Sequence, residues 1–125
     1  MSDLQCAATV VVVHDDADLE ALRSERPAAV HAAPGAEDRA TGLAGALEVP
    51  CRRLRDGVSG DLTAALDAVA DEYRGECVVV AVTDAAFTAL AALVLPGAAR
   101  GVVVEIDADG RRWDRWPAVS GPRGR

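Results

Sequence analysis

The chain has 125 residues, half of them apolar and only 3% aromatic, with a formal net charge of −7. That length suits one domain whose core is built from Val, Leu and Ala, and the acidic balance argues against a general nucleic-acid binder. The basic residues are all Arg, which excludes chemistry that needs a catalytic or phosphate-binding lysine.

Taken in chain order, the first element is Thr9-Val10-Val11-Val12-Val13, a continuous β-branched run followed by His14-Asp15-Asp16. Such a run marks a parallel strand covered on both faces. Asp16 or Asp18 can cap a short helix reaching Arg26, with Leu19 and Leu22 on its apolar face and Pro27 ending it. A short strand is expected at 28–32, then a loop at Pro34-Gly35 and a helix over 36–48 with Ala40, Leu43, Ala44 and Leu47 on one face. Gly42 and Gly45 either weaken that helix or permit close packing against it. A weak strand at 51–54 leads into the loop 55–60.

Ser59 or Asp61 can cap a helix to Tyr73 whose buried stripe is Leu62, Ala65, Leu66, Val69 and Tyr73. Gly75 stops it. The second β-branched run, Cys77-Val78-Val79-Val80-Ala81-Val82, follows and ends in Thr83-Asp84. Residues 85–95 are apolar almost all round, which predicts a helix buried between the sheet and a further layer. Ala108-Asp109-Gly110 separates two strand-like segments, 101–107 and 111–116, as a hairpin would.

The alternation predicts an α/β fold, a three-layer αβα sandwich with a mostly parallel central sheet and a C-terminal antiparallel hairpin. Residues 1–116 form the single domain and 117–125 a flexible tail. Residues 1–110 hold 8 Arg against 19 acids, whereas the last fifteen residues hold 5 Arg and one Asp. The basic end reads as a solvated tail. With no 18-residue apolar span and no signal-peptide pattern, the expectation is a soluble, cytoplasmic protein with no membrane association. Cys6, Cys51 and Cys77 form no C-x-x-C pair, so they are expected to be reduced, buried thiols rather than a disulfide frame or a zinc site.

Ligand sites in open α/β sheets lie beyond the carboxyl ends of the strands. The acids that end the two Val-rich runs therefore mark the place to look. Asp15, Asp16 and Asp84 also suit helix N-caps, a purely structural role.

Several segments together resemble the histidine phosphatase (phosphoglycerate-mutase-like) superfamily. His14-Asp15-Asp16 stands where that family has Arg-His-Gly after its first strand. Ala33-Pro34-Gly35-Ala36-Glu37-Asp38-Arg39-Ala40-Thr41 is similar to its Ser-Pro-x-x-Arg-Ala-x-x-Thr pattern, keeping the Pro and the Thr. Leu54-Arg55-Asp56-Gly57 is similar to a Leu-x-Glu loop, and Thr83-Asp84 stands at a Ser-His pair. The terminal hairpin with Trp113 and Trp116 also fits. The resemblance spans about residues 8–116 and implies the αβα fold.

It further implies that the nucleophilic His is replaced by Asp15, the second His by Asp84 and the motif Arg residues by His14 and Glu37, with Arg39 as a shifted substitute. Asp56 stands at the family's acid–base position. A pocket that holds phosphoryl oxygens by charge-assisted hydrogen bonds would then be anionic and would repel a dianion. No phosphatase or mutase activity is expected. The expected role is a non-catalytic binding or regulatory protein acting as a homo-oligomer or with a protein partner, without cofactor or metal. Shortening of the region after the first strand should uncover apolar surface that needs a cover.

The rival expectation is an enzyme of changed chemistry. Asp15, Asp84, Asp56 and His14 would be its catalytic residues, as general acid and base or as a divalent-cation site, with Asp16, Glu37, Arg39 and Thr83 binding a small non-phosphate substrate. The first strand also resembles that of receiver domains. No mid-chain strand ends in a phosphorylatable Asp, however, and the Lys that such domains carry is absent.

Overall fold

The computed structural model describes residues 7–14, 18–54, 62–98 and 100–117. The elements are β1 (Ala8–Val13), α1 (Leu19–Glu25), β2 (Val30–Ala32), α2 (Glu37–Leu47), β3 (Cys51–Arg53), α3 (Leu62–Glu72), β4 (Cys77–Ala81), α4 (Asp84–Val94), β5 (Gly101–Asp107) and β6 (Gly110–Arg115). They form one six-stranded sheet in the order β3-β2-β4-β1-β5-β6. β3, β2, β4 and β1 run parallel, β5 is antiparallel to β1, and β6 closes the antiparallel hairpin.

The Val-rich runs take the interior of the sheet because only strands flanked on both edges and covered on both faces can bury every side chain. Val10 to Val13 and Val78 to Val80 are all inaccessible to solvent. Side chains alternate between faces. Val10, Val12, Val78 and Val80 pack against Leu66, Val69 and Ala70 of α3 and Phe87, Leu90 and Ala91 of α4. Val11, Val13, Val79 and Ala81 pack against Leu22 of α1 and Ala40 and Ala44 of α2. The fold is therefore an αβα sandwich. The chain moves outward from β1 to β2 to β3 and then turns back to β4. Right-handed crossovers require α1 and α2 to lie on one face and α3 on the other.

Asp18 caps α1 by accepting from the Ala21 N–H at 3.1 Å, and Thr83 Oγ1 caps α4 by accepting from Ala86 N–H, also at 3.1 Å. At the hairpin tip, the Asp107 carboxylate accepts from the N–H groups of Asp109 and Gly110 at 2.8 and 3.1 Å, which fixes the turn. The two tryptophans take opposite faces. Trp113 lies against the α3/α4 side, while buried Trp116 joins the α1/α2 side and donates its Nε1–H to Glu25 at 3.0 Å. That bond ties the end of the hairpin to α1.

Three expectations are corrected. The helix α4 is not enclosed all round: Phe87, Leu90 and Ala91 are buried, but Ala85, Thr88, Ala89 and Ala92 are exposed and Leu93 is 79% exposed. Alanine is apolar enough to look buried in sequence and small enough to lose little when left in water. For Gly42 and Gly45 only the close-packing alternative falls: they lie on the exposed face of α2 with nothing within 4 Å of where a Cβ would stand, which leaves the weakening expected of helical glycines. Cys51 is exposed, because β3 is an edge strand, and Cys77 is only partly buried. No helix among the described residues is long and apolar enough to cross a membrane. The expected tail, 118–125, and Cys6 lie outside the described residues.

Candidate functional site

At the carboxyl edge of the sheet, β1 and β4 lie side by side, in register from Thr9 with Cys77 to Val13 with Ala81. Their first residues beyond the sheet therefore meet. His14 continues the alternation of Val10 and Val12 and turns toward α4, where its ring stacks on Phe87 with centroids 4.1 Å apart and planes 19° apart. Asp84 is the first residue of α4. His14 Nδ1 and Asp84 Oδ1 are 2.8 Å apart.

The third member comes from the opposite layer. Arg39, on α2, reaches over the sheet edge and donates from Nη1 to the Val82 carbonyl at 3.0 Å. The same nitrogen lies 3.9 Å from Asp84 Oδ1. The carboxylate is 67% exposed, whereas the imidazole is 17% exposed and the guanidinium 34%. His14 and Arg39 thus converge on a single oxygen of an outward-facing acid.

The hydrogen bond from His14 is the largest effect and, against desolvation and with the help of the lesser charge effects of His14 and Arg39, holds the Asp84 carboxyl below its ordinary value of 3.8. An imidazole bonded through Nδ1 to a carboxylate is also the arrangement that orients a general base. Phe87 packs flat against the ring and limits its rotation.

Thr83 is occupied as the cap of α4 and contributes its Cγ2 to a tight contact with the β2–α2 turn. A Cβ built on Gly35 would stand 2.9 Å from that methyl, and Gly35 itself has φ +90°. Only glycine meets both conditions. Glu37 is turned back on its own turn, accepting from the Gly35 N–H at 3.1 Å, and takes no part in the His14 cluster.

The expected site residues therefore separate. His14, Asp84 and Arg39 come together, Thr83 supports them, and Glu37 serves the turn. Asp15, Asp16 and Asp56 lie outside the described residues. What is described is a mixed-charge cluster, one carboxylate against two basic side chains, rather than an acidic one. Among the described residues no group of three or more His, Cys, Asp or Glu could hold a metal ion. Sequence reasoning did not single out Phe87, although it is the only Phe in the chain and stands three residues after Asp84, on the same helix face.

Comparisons with protein-family models, with curated proteins and with solved structures returned no match.

Proposed function

We propose that this chain is a non-catalytic binding or regulatory protein on a histidine-phosphatase-like fold, without phosphatase or mutase activity. The observation that carries the reading is the convergence of His14 and Arg39 on Asp84 Oδ1, at 2.8 and 3.9 Å. The chain supplies its own anion where a phosphoryl oxygen would need these two groups. An incoming phosphate must both displace that carboxylate and approach its charge. The exposed side of α4, mostly alanine with Leu93 near its C-terminal end, supports action through a second protein or a second copy of the chain. A cytoplasmic location belongs to the same reading.

The test is direct. The full chain is incubated with a generic phosphate monoester and with a phosphoryl donor, and its thermal stability is followed in millimolar inorganic phosphate. The wild type should hydrolyse nothing, form no phosphohistidine and show no shift. Asp84→Ala, which removes the anion facing both basic groups, should gain a phosphate-dependent shift. Hydrolysis or phosphohistidine in the wild type overturns the reading.

A second reading is favoured by the His14–Asp84 bond alone: an enzyme in which Asp84 orients His14 as a general base toward a non-phosphate substrate. It predicts an activity that His14→Gln abolishes and Asp84→Asn reduces.

A further inference from the structure

His31 is the single buried polar or charged side chain of the described core, 4% exposed in a sheet otherwise filled with Val and Ala. Burying an imidazole costs free energy that Val would not incur at the same place. Its neighbours on β2, Val30 and Ala32, face α2, so His31 faces the α3 layer. There Nε2 lies 3.1 Å from the Tyr73 hydroxyl, and the rings meet edge-on with centroids 5.5 Å apart.

This side chain forms the floor of a cleft of about 260 Å³ between the edge strand β3 and α3, lined also by Arg52, Arg53, Ala68, Val69 and Glu72. His31 and Arg52 are register partners, so their side chains leave the sheet on the same face. Arg23, Arg39, Arg74, Arg111 and Arg112 pair with acids, whereas Arg52 and Arg53, like Arg26, Arg100 and Arg115, make no side-chain hydrogen bond or ion pair among the described residues. Arg52 therefore brings a guanidinium group without a described partner to the mouth of the cleft, whereas Arg53, the register partner of Ala32, leaves the strand toward the opposite face and borders the cleft at the sheet edge.

We propose that this cleft is a binding site for a small organic carboxylate with an apolar body. The guanidinium group of Arg52 takes the carboxylate, since its planar N–H pair matches the two oxygens. Ala68 and Val69 take the apolar part. His31, held by Tyr73, offers a polar group in the lining. The volume lies just below the roughly 300–1,000 Å³ of sites for drug-sized ligands, which restricts the occupant to a small molecule. Glu72 stands at the same mouth and repels anions, so it sets an upper limit on affinity and excludes ligands of high negative charge. The site shares no residue with the His14 cluster and does not depend on the function proposed there.

The experiment is a titration of the uniformly ¹⁵N-labelled full chain with butyrate, benzoate and inorganic phosphate, followed by amide shift changes. Benzoate or butyrate should produce saturable shifts at His31, Arg52 and Val69. Arg52→Gln should weaken that binding about tenfold or more, the loss expected for a charged hydrogen-bond partner. Glu72→Gln should tighten it, an effect that a merely structural role for the cleft would not give. Both substitutions are at exposed positions and leave the core intact. The proposal is overturned by no saturable shift with either carboxylate, by shifts confined to Arg111, Arg112 and Arg115 on the hairpin, or by phosphate binding in the cleft as tightly as benzoate. The Asp84→Ala result bears only on the other site.

Discussion

Replacing Gly42 and Gly45 by alanine should stabilise the protein. Both residues sit within α2, both are exposed, and a Cβ at either meets nothing within 4 Å. Their dihedrals are helical, so alanine introduces no strain. The gain is the difference in helix propensity, about 1 kcal/mol for an interior glycine. Gly42 is mid-helix and should give that amount. Gly45 lies in the last turn, where part of the backbone order is already lost, and should give roughly half of it. The residues are one turn apart, but two methyl groups facing solvent share no partner, so the effects should add to roughly 1.5 kcal/mol.

For a domain of this size, that sum corresponds to a rise in Tm of roughly 5–8 °C. Urea unfolding of the wild type, the two single variants and the double variant measures it, with the midpoint rising and the slope m unchanged. A loss of stability in either single variant would refute the reasoning. It would mean that α2 uses its glycines for close approach to something, against the open space the structure places there.

The opposite outcome is expected at Gly35→Ala, where φ is +90° and the new methyl would lie 2.9 Å from Thr83 Cγ2. Denaturant unfolding should show a loss of about 1–3 kcal/mol, and an unchanged midpoint would sink the idea that this turn is locked against α4. Glu48→Gly should gain up to about 1 kcal/mol, because Glu48 ends α2 in the left-handed region at φ 61°; differential scanning calorimetry checks it. The Asp84 carboxyl titrates below 3.8 in the folded state, so its bonds to His14 and Arg39 stabilise the fold above that pH. That contribution is lost as pH falls through the lower, folded-state value. Asp84→Asn should flatten the acid limb of the stability–pH curve, and an unaltered limb would contradict the ion pair.

Burial, reinforced by the Glu25 carboxylate, raises the Cys77 thiol from 9.0 to about 12. Its thiolate fraction at pH 8 is then on the order of 10⁻⁴. In a Cys6→Ser background a maleimide should label exposed Cys51 first and the partly buried Cys77 far more slowly. The same shift means that the neutral thiol's contribution to stability is whole below pH 9.0 and is lost as pH rises toward about 12. Equal labelling rates would count against the burial.

What could be read before folding was what depends on neighbours in sequence. Uninterrupted β-branched residues at 9–13 and 77–82 have no polar side to show to water, so they had to be interior strands. Asp18 is a cap because a short side-chain oxygen reaches an N–H three residues on, whereas α4 is capped by Thr83 rather than by the expected Asp84, which is its first helical residue. The hairpin followed from Ala108-Asp109-Gly110 between two strand-like segments. The region of the site followed as well, since the loops after parallel strands are where ligands can approach an αβα sandwich.

What sequence could not contain is which side chains those loops bring face to face. His14 and Asp84 are 70 residues apart and meet because β4 returns to pair beside β1 rather than continuing outward past β3. Arg39 was one candidate among several acids and bases. The reach of α2 over the sheet edge to the Val82 carbonyl brings it to the cluster, and the tight turn at Gly35 directs Glu37 away. Exposure of α4 and β3 was equally hidden, because an alanine-rich helix and an edge strand carry the same residues whether or not another layer covers them. Local pattern therefore determined the elements and the edge of the sheet where chemistry could occur. The order of the strands, a long-range property decided by how the Val faces are jointly buried, determined that the acid after β4 meets one base from the end of β1 and another from α2.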